Sequence, residues 1–282
     1  MMNDEDTEAT YLIAHARKVF LLPMAMILCL MISSVAIGQP KEMVRITGGS
    51  YVPLYGNSDS NLVKVRDFYM DTHPVTHTEF IEFLYDHPKW RKSKVIALYA
   101  DDNYLAQFET DLTLKKRENP NAPVTNVSWF AAKAYCASLG KRLPSVDEWE
   151  YAAMADDKII DARKSESYNR RILSWYETPT TYRNAVGDGR GNYWGLHDMH
   201  GLVWEWTSDY NSVLISGESR GDVEGRTELF CGGAAVGATD LMNYAAFMRY
   251  AFRGSLKSNY TIRNLGFRCA VDADHVMTNT TP

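Results

Sequence analysis

The stretch GKRLPSVDEWEYAA, Gly140 to Ala153, holds one helix end and one helix start. Gly140 supplies the C′ stop for a helix capped by Ser128 and running to Leu139. Ser145 with Glu148 makes a capping-box pair and predicts a helix through about Ala155. Working outward, Thr76 with Glu79 repeats that box ahead of Phe80, Ile81, Phe83 and Leu84. Strands are expected at Met43 to Ile46, ended by Gly48-Gly49, and as one run from Val63 to Met70. After Ala155 the periodicity fades, and Gly, Asn, Asp and Trp dominate Asn184 to Tyr210. The expectation is an α+β domain, loop-rich with little regular secondary structure. Its helices lie in the first half and its long irregular loops in the second. Two segments, Asp86 to Asn119 and Asp156 to Thr181, look like insertions on that plan.

The chain has 282 residues, 45% hydrophobic and 23% charged, with a formal net charge of −5. That suits one large globular domain and excludes disordered, collagen-like and coiled-coil classes. The acidic balance argues against nucleic acid as a partner. Four cysteines are too few for a disulfide-dense scaffold. The 17 Tyr and 7 Trp point to large rings filling space between irregular segments.

The N-terminus reads as an address. His15, Arg17 and Lys18 precede an apolar run from Val19 to Ile32, and small residues follow at Ser33, Ser34, Ala36 and Gly38. This pattern predicts a secretory signal peptide over residues 1–38, leaving Gln39 first. The rival reading is an uncleaved anchor, for which Val19 to Ile37 is barely long enough and is interrupted by Pro23. Either way the protein is expected to be exported, periplasmic or secreted, with membrane contact only through that segment. One domain is expected over residues 42–272, followed by a flexible tail at 273–282.

Four blocks occur in order: VRITGGSYVPLYG (Val44 to Gly56), GKRLPSVDEWEYAA, WGLHDMHGLVWEW (Trp194 to Trp206) and NLGFRCA (Asn264 to Ala270). Together they resemble the formylglycine-generating enzyme, or sulfatase-modifying factor, family. The resemblance implies a variant of the C-type lectin fold. It also implies a disulfide between Cys136 of the AYC helix and Cys269 of GFRCA. In the WGLHDMHGLVWEW loop it implies a structural Ca²⁺, held by Asp198 and Glu205 side chains and by the carbonyls of Met199, Gly201 and Val203. Two carboxylates plus carbonyls form a hard oxygen cage that suits this ion.

The family's enzyme oxidises a sulfatase cysteine to formylglycine with oxygen and Cu(I), and two cysteines between the GG block and GFRCA hold the copper. Thiolates suit that soft ion. From Gly232 to Arg268 this chain has no cysteine; Asp240 and Ala245 fall near the two ligand positions, and Ala234 replaces the family's GGS serine. Copper is therefore not expected, no catalytic residue is assigned, and Cys231 reads as a lone free thiol. His73 and His77 have HxxxH spacing but straddle Pro74 and the Thr76 cap, so they do not share a helical face. Trp204, Asp240, Arg249 and Arg253 are candidate lining for a groove.

Three functions remain: a binding or envelope-associated module for a peptide, protein or glycan; an oxidoreductase with altered metal or active-site residues; and the sulfatase-modifying oxidase itself.

Overall fold

The computed structural model describes residues 42–53, 62–211 and 241–274. Strand β1 (Met43–Ile46) lies antiparallel to β4 (Phe68–Asp71), whose other edge carries β7 (Ala270–Asp272). The first and last strands of the described fold thus flank β4. Strands β2 (Gly49–Tyr51) and β3 (Val63–Val65) form an antiparallel pair, and β5 (Trp204–Glu205) runs parallel to β6 (Leu265–Gly266). The described residues belong to one compact unit.

The expected run from Val63 to Met70 is two strands, broken at Arg66-Asp67. The break has a local cause. Asp67 Oδ1 accepts the backbone N–H of Gly48 at 2.8 Å. A Cβ on Gly48 would lie 2.4 Å from the carbonyl oxygen of Val65. Glycine is required where those two backbones meet.

The three predicted helix starts are present. Helix α1 (His77–Asp86) opens on a complete Thr76/Glu79 capping box. Helix α2 (Trp129–Ser138) is capped by Ser128, whose side chain accepts from the Ala131 N–H. Gly140, at φ +68°, ends it in the left-handed region. Helix α3 (Val146–Ala153) carries the Ser145/Glu148 box.

The second half departs from expectation. It contains α4 (Glu166–Tyr176), capped by Ser165, and α5 (Leu241–Gly254). Helix α4 buries Tyr168 and Ile172 four apart, and Leu173 and Tyr176 pack at the edge of the same small core with Ala162 and Ala245. The segment from Asp86 to Asn119 is also no peripheral insertion. It supplies Trp90, Tyr104, Leu105 and Phe108 to the largest core.

That core sits between α1, α2 and the C-terminal strands. Phe80, Tyr135 and Phe267 meet at ring centroid distances of 5.3–6.2 Å. Full burial of such a ring contributes roughly 1.5–3 kcal/mol. Cys136 and Cys269 are disulfide-bonded inside it, with no solvent exposure and a sequence separation of 133. A second core, of Ile46, Phe68, Met70, Trp149, Leu196 and Met199, lies on the sheet. No helix among the described residues is long and apolar enough to cross a membrane.

Candidate functional site

Helix α3 presents two adjacent side chains to two different charge centres. Trp149 donates its indole N–H to Glu205 Oε2 at 2.8 Å. Glu150 turns the other way, to α5. There Arg249 reaches it through Nε (3.0 Å to Oε1) and Nη2 (2.7 Å to Oε2), and Arg253 through Nη1 (2.6 Å to Oε1). The two arginines sit four apart on one helix face, so both heads converge on one carboxylate. Arg253 also lies 4.9 Å from the Trp149 ring centroid.

All three charged groups are buried, Glu150 at 7%, Arg249 at 7% and Arg253 at 4% exposure. Burial opposes ionisation of Glu150. The charges of Arg249 and then Arg253 outweigh it and lower the carboxyl pKa to about 2. This is a structural ion cluster with one more positive than negative group. Arg249 and Arg253 therefore do not line an open groove, contrary to expectation. Asp240 lies outside the described residues.

Trp204 is half-buried, and three rings already touch it. Tyr176 and Phe252 stack on it at 5.1 and 4.6 Å, and Trp175 approaches at 5.1 Å in a tilted pose. All four rings are partly exposed, so they form one aromatic floor rather than a single free platform. Residues from the missed helices α4 and α5 supply three of them, which is why sequence reading isolated only Trp204.

The calcium expectation meets a different chemistry. Glu205 is fully buried in an ion pair with Arg268 at 2.9 Å. Asp198 Oδ2 accepts the Gly187 N–H at 2.6 Å. Glu205 is thus already neutralised, and one oxygen of the half-buried Asp198 holds a backbone N–H. As placed, they do not fit a calcium cage. Met199, Leu202 and Val203 of the same loop are buried.

Two histidines of the candidate pairs contact backbone carbonyls. His77 Nδ1 donates to the Asn119 carbonyl at 3.0 Å, and its Nε2 is buried without a partner among the described residues. His197 Nδ1 contacts the Gly189 carbonyl at 2.7 Å. Among the described residues, no three His, Cys, Asp or Glu side chains could together hold a metal ion. Of the Asn-x-Ser/Thr triplets, Asn126 is 5% exposed and its Ser128 is the α2 cap, so the folded chain hides that site.

His200 is the most perturbed histidine. Its Nε2 lies 3.0 Å from the Ala153 carbonyl and 3.1 Å from the Tyr168 hydroxyl, and Nδ1 is buried without a partner among the described residues. Burial first, and then the Arg249 charge, lower its pKa from 6.5 to about 3. The unfolded chain therefore takes up a proton first. Stability is full above pH 6.5 and falls as pH drops from there toward about 3, by up to roughly 1.4 kcal/mol per unit. His77, depressed by burial, acts in the same direction. Denaturant unfolding between pH 7 and 4 is expected to show this slope, shallower in His200→Gln. Equal slopes in both proteins would remove His200 as the cause.

A family model described as "Sulfatase-modifying factor enzyme 1-like domain" matches residues 31–273. The chain belongs to the sulfatase-modifying factor family. Its loop-rich mix of helices and short strands is the fold of that family. The "Formylglycine-generating enzyme" of Bos taurus is 27% identical over 292 residues, covering 85% of this chain and 76% of that protein. The "Inactive C-alpha-formylglycine-generating enzyme 2" of Bos taurus is 25% identical, covering 84% and 90%. The "Serine/threonine-protein kinase Pkn1" of Chlamydia trachomatis serovar L2 is 27% identical over 252 residues. This chain spans 82% of its own length there but only 38% of that kinase.

Glu150 and Arg268 fall inside the family blocks, where sequence alone assigns them no role. A signal for Glu150 was available: an acid amid the Trp149, Tyr151, Ala152 and Ala153 run, with two arginines four apart downstream.

Proposed function

We propose that this protein is an exported binding module of the sulfatase-modifying factor family that does not oxidise cysteine to formylglycine. The supporting observation is the cysteine inventory. The chain has four cysteines, at 29, 136, 231 and 269, and none from Gly232 to Arg268. Cys136 and Cys269 are bonded to each other. Cys29 and Cys231 lie outside the described residues, and Cys29 leaves with a cleaved signal peptide. Cys231 then stands alone, and one thiol is not a Cu(I) dithiolate. The copper of the family enzyme does not fit these residues.

A relative named as inactive, at similar identity and coverage, is compatible with loss of the chemistry on this fold. A core disulfide is also what an oxidising compartment permits. The aromatic floor of Trp175, Tyr176, Trp204 and Phe252 is the surface we assign to a peptide, protein or glycan ligand.

Copper-loaded protein incubated in air with a CxPxR peptide is expected to leave the peptide thiol unconverted by mass spectrometry. Catalytic aldehyde formation that survives Cys231→Ser would overturn the reading. Thiol titration of the mature protein, unfolded but unreduced, is expected to find one thiol; three would break the inventory.

A further inference from the structure

The environment of Arg268 answers what holds the 197–205 loop. This side chain is fully buried. Its Nε donates to Glu205 Oε2 at 2.9 Å and Oε1 at 3.1 Å. Nη2 donates to Glu205 Oε1 at 2.9 Å and to the His197 carbonyl at 2.8 Å. Nη1 donates to the carbonyls of Asp71 and Thr72, both at 3.2 Å. A guanidinium has five N–H groups. Here they face five oxygen atoms drawn from the end of β4, the loop and β5.

We propose that Arg268 is the resident cation of this loop, a guanidinium in an oxygen cage that takes the place of calcium. Glu205 is the deciding group. A carboxylate offers about four lone-pair sites. Three N–H groups, Arg268 Nε and Nη2 and the Trp149 indole at 2.8 Å, occupy both of its oxygens. Calcium needs six to eight oxygens at 2.3–2.6 Å. To enter, it would have to pull Glu205 off a buried arginine and leave that charge unpaired, which is strongly unfavourable. The arginine is also pinned in sequence. Its neighbour Cys269 is held by the disulfide and donates its N–H to Asp71 Oδ2 at 3.1 Å. Asp198 turns one carboxylate oxygen to the Gly187 N–H instead.

Thermal unfolding of the purified full chain in millimolar calcium and in excess chelator tests this. The melting temperatures are expected to agree to within about 1 °C. Terbium supplies an independent readout. Trp149 touches Glu205, so a lanthanide bound there would be sensitised by the indole; none of that emission is expected. Arg268→Met is expected to melt lower in chelator and to regain part of the loss on calcium addition. Adding Glu205→Gln to that variant is expected to abolish the regain. A calcium-dependent rise of more than about 3 °C in the wild-type protein overturns the proposal. So does wild-type terbium emission lost in Glu205→Gln. A folded Arg268→Met that ignores calcium would show that the two cations do not share one carboxylate, and would overturn it as well. Should that variant fail to fold, the wild-type melting and terbium measurements still decide.

Discussion

Glu150→Gln is expected to destabilise the fold by about 3–5 kcal/mol, because it leaves two guanidiniums buried with no counter-charge. Arg249 and Arg253 are 7% and 4% exposed, so solvent cannot replace the carboxylate. Glutamine keeps the shape and one acceptor but no charge. The charge imbalance of the cluster makes the effect asymmetric. Arg249→Met or Arg253→Met leaves one arginine against one carboxylate, a neutral pair, and each is expected to cost less than Glu150→Gln. Urea unfolding at neutral pH measures all three. A loss below about 1 kcal/mol for Glu150→Gln, or a greater loss for either arginine variant, would mean that packing rather than charge governs the site.

The second large effect is loss of the disulfide. Cys136 and Cys269 close a loop across 133 positions. The chain-entropy model assigns about 5 kcal/mol to such a closure, with measured values commonly 2–5 kcal/mol. The bond is buried between α2 and the last strands, so reductant reaches it only after opening. The expected result is a native protein that tolerates dithiothreitol but unfolds at much lower urea once Cys136→Ala and Cys269→Ala are both present. If the double variant and wild type unfold at the same urea concentration, the bond constrains little.

The parts of this fold that a sequence reveals are those fixed within a few residues. Thr76/Glu79 and Ser145/Glu148 each satisfy orphan N–H groups locally, and their helices stand where the pairs predicted. Gly140 ends α2 for an equally local reason. Helices α4 and α5 were illegible because aromatic and charged residues share their inner faces with only a few aliphatic ones. Tyr168, Tyr176 and Arg249 do work there that a hydrophobic count does not register. The Arg268 cage was illegible for a different reason. Glu205, His197 and Thr72 lie 63, 71 and 196 positions away from it. No local pattern says which carboxylate will meet which arginine. The calcium expectation fits the composition of the loop; the guanidinium beside Glu205 comes from another block.

Strand β4, flanked by β1 and β7, sets the order in which this molecule can come into being. The backbone N–H of Cys269 reaches the side chain of Asp71 across 198 positions. At ordinary synthesis rates, β4 waits on the order of ten seconds or more for that partner. Through that interval β4 has β1 beside it but not β7, and Cys136 lacks the partner it holds in the folded chain. Such non-local pairing makes closure late and slow. The third strand of that sheet and the disulfide therefore close only once the C-terminal block has been made. Until then Phe80 lacks the Phe267 ring and Met70 lacks its neighbour Ala270, and the disulfide forms only as the fold closes.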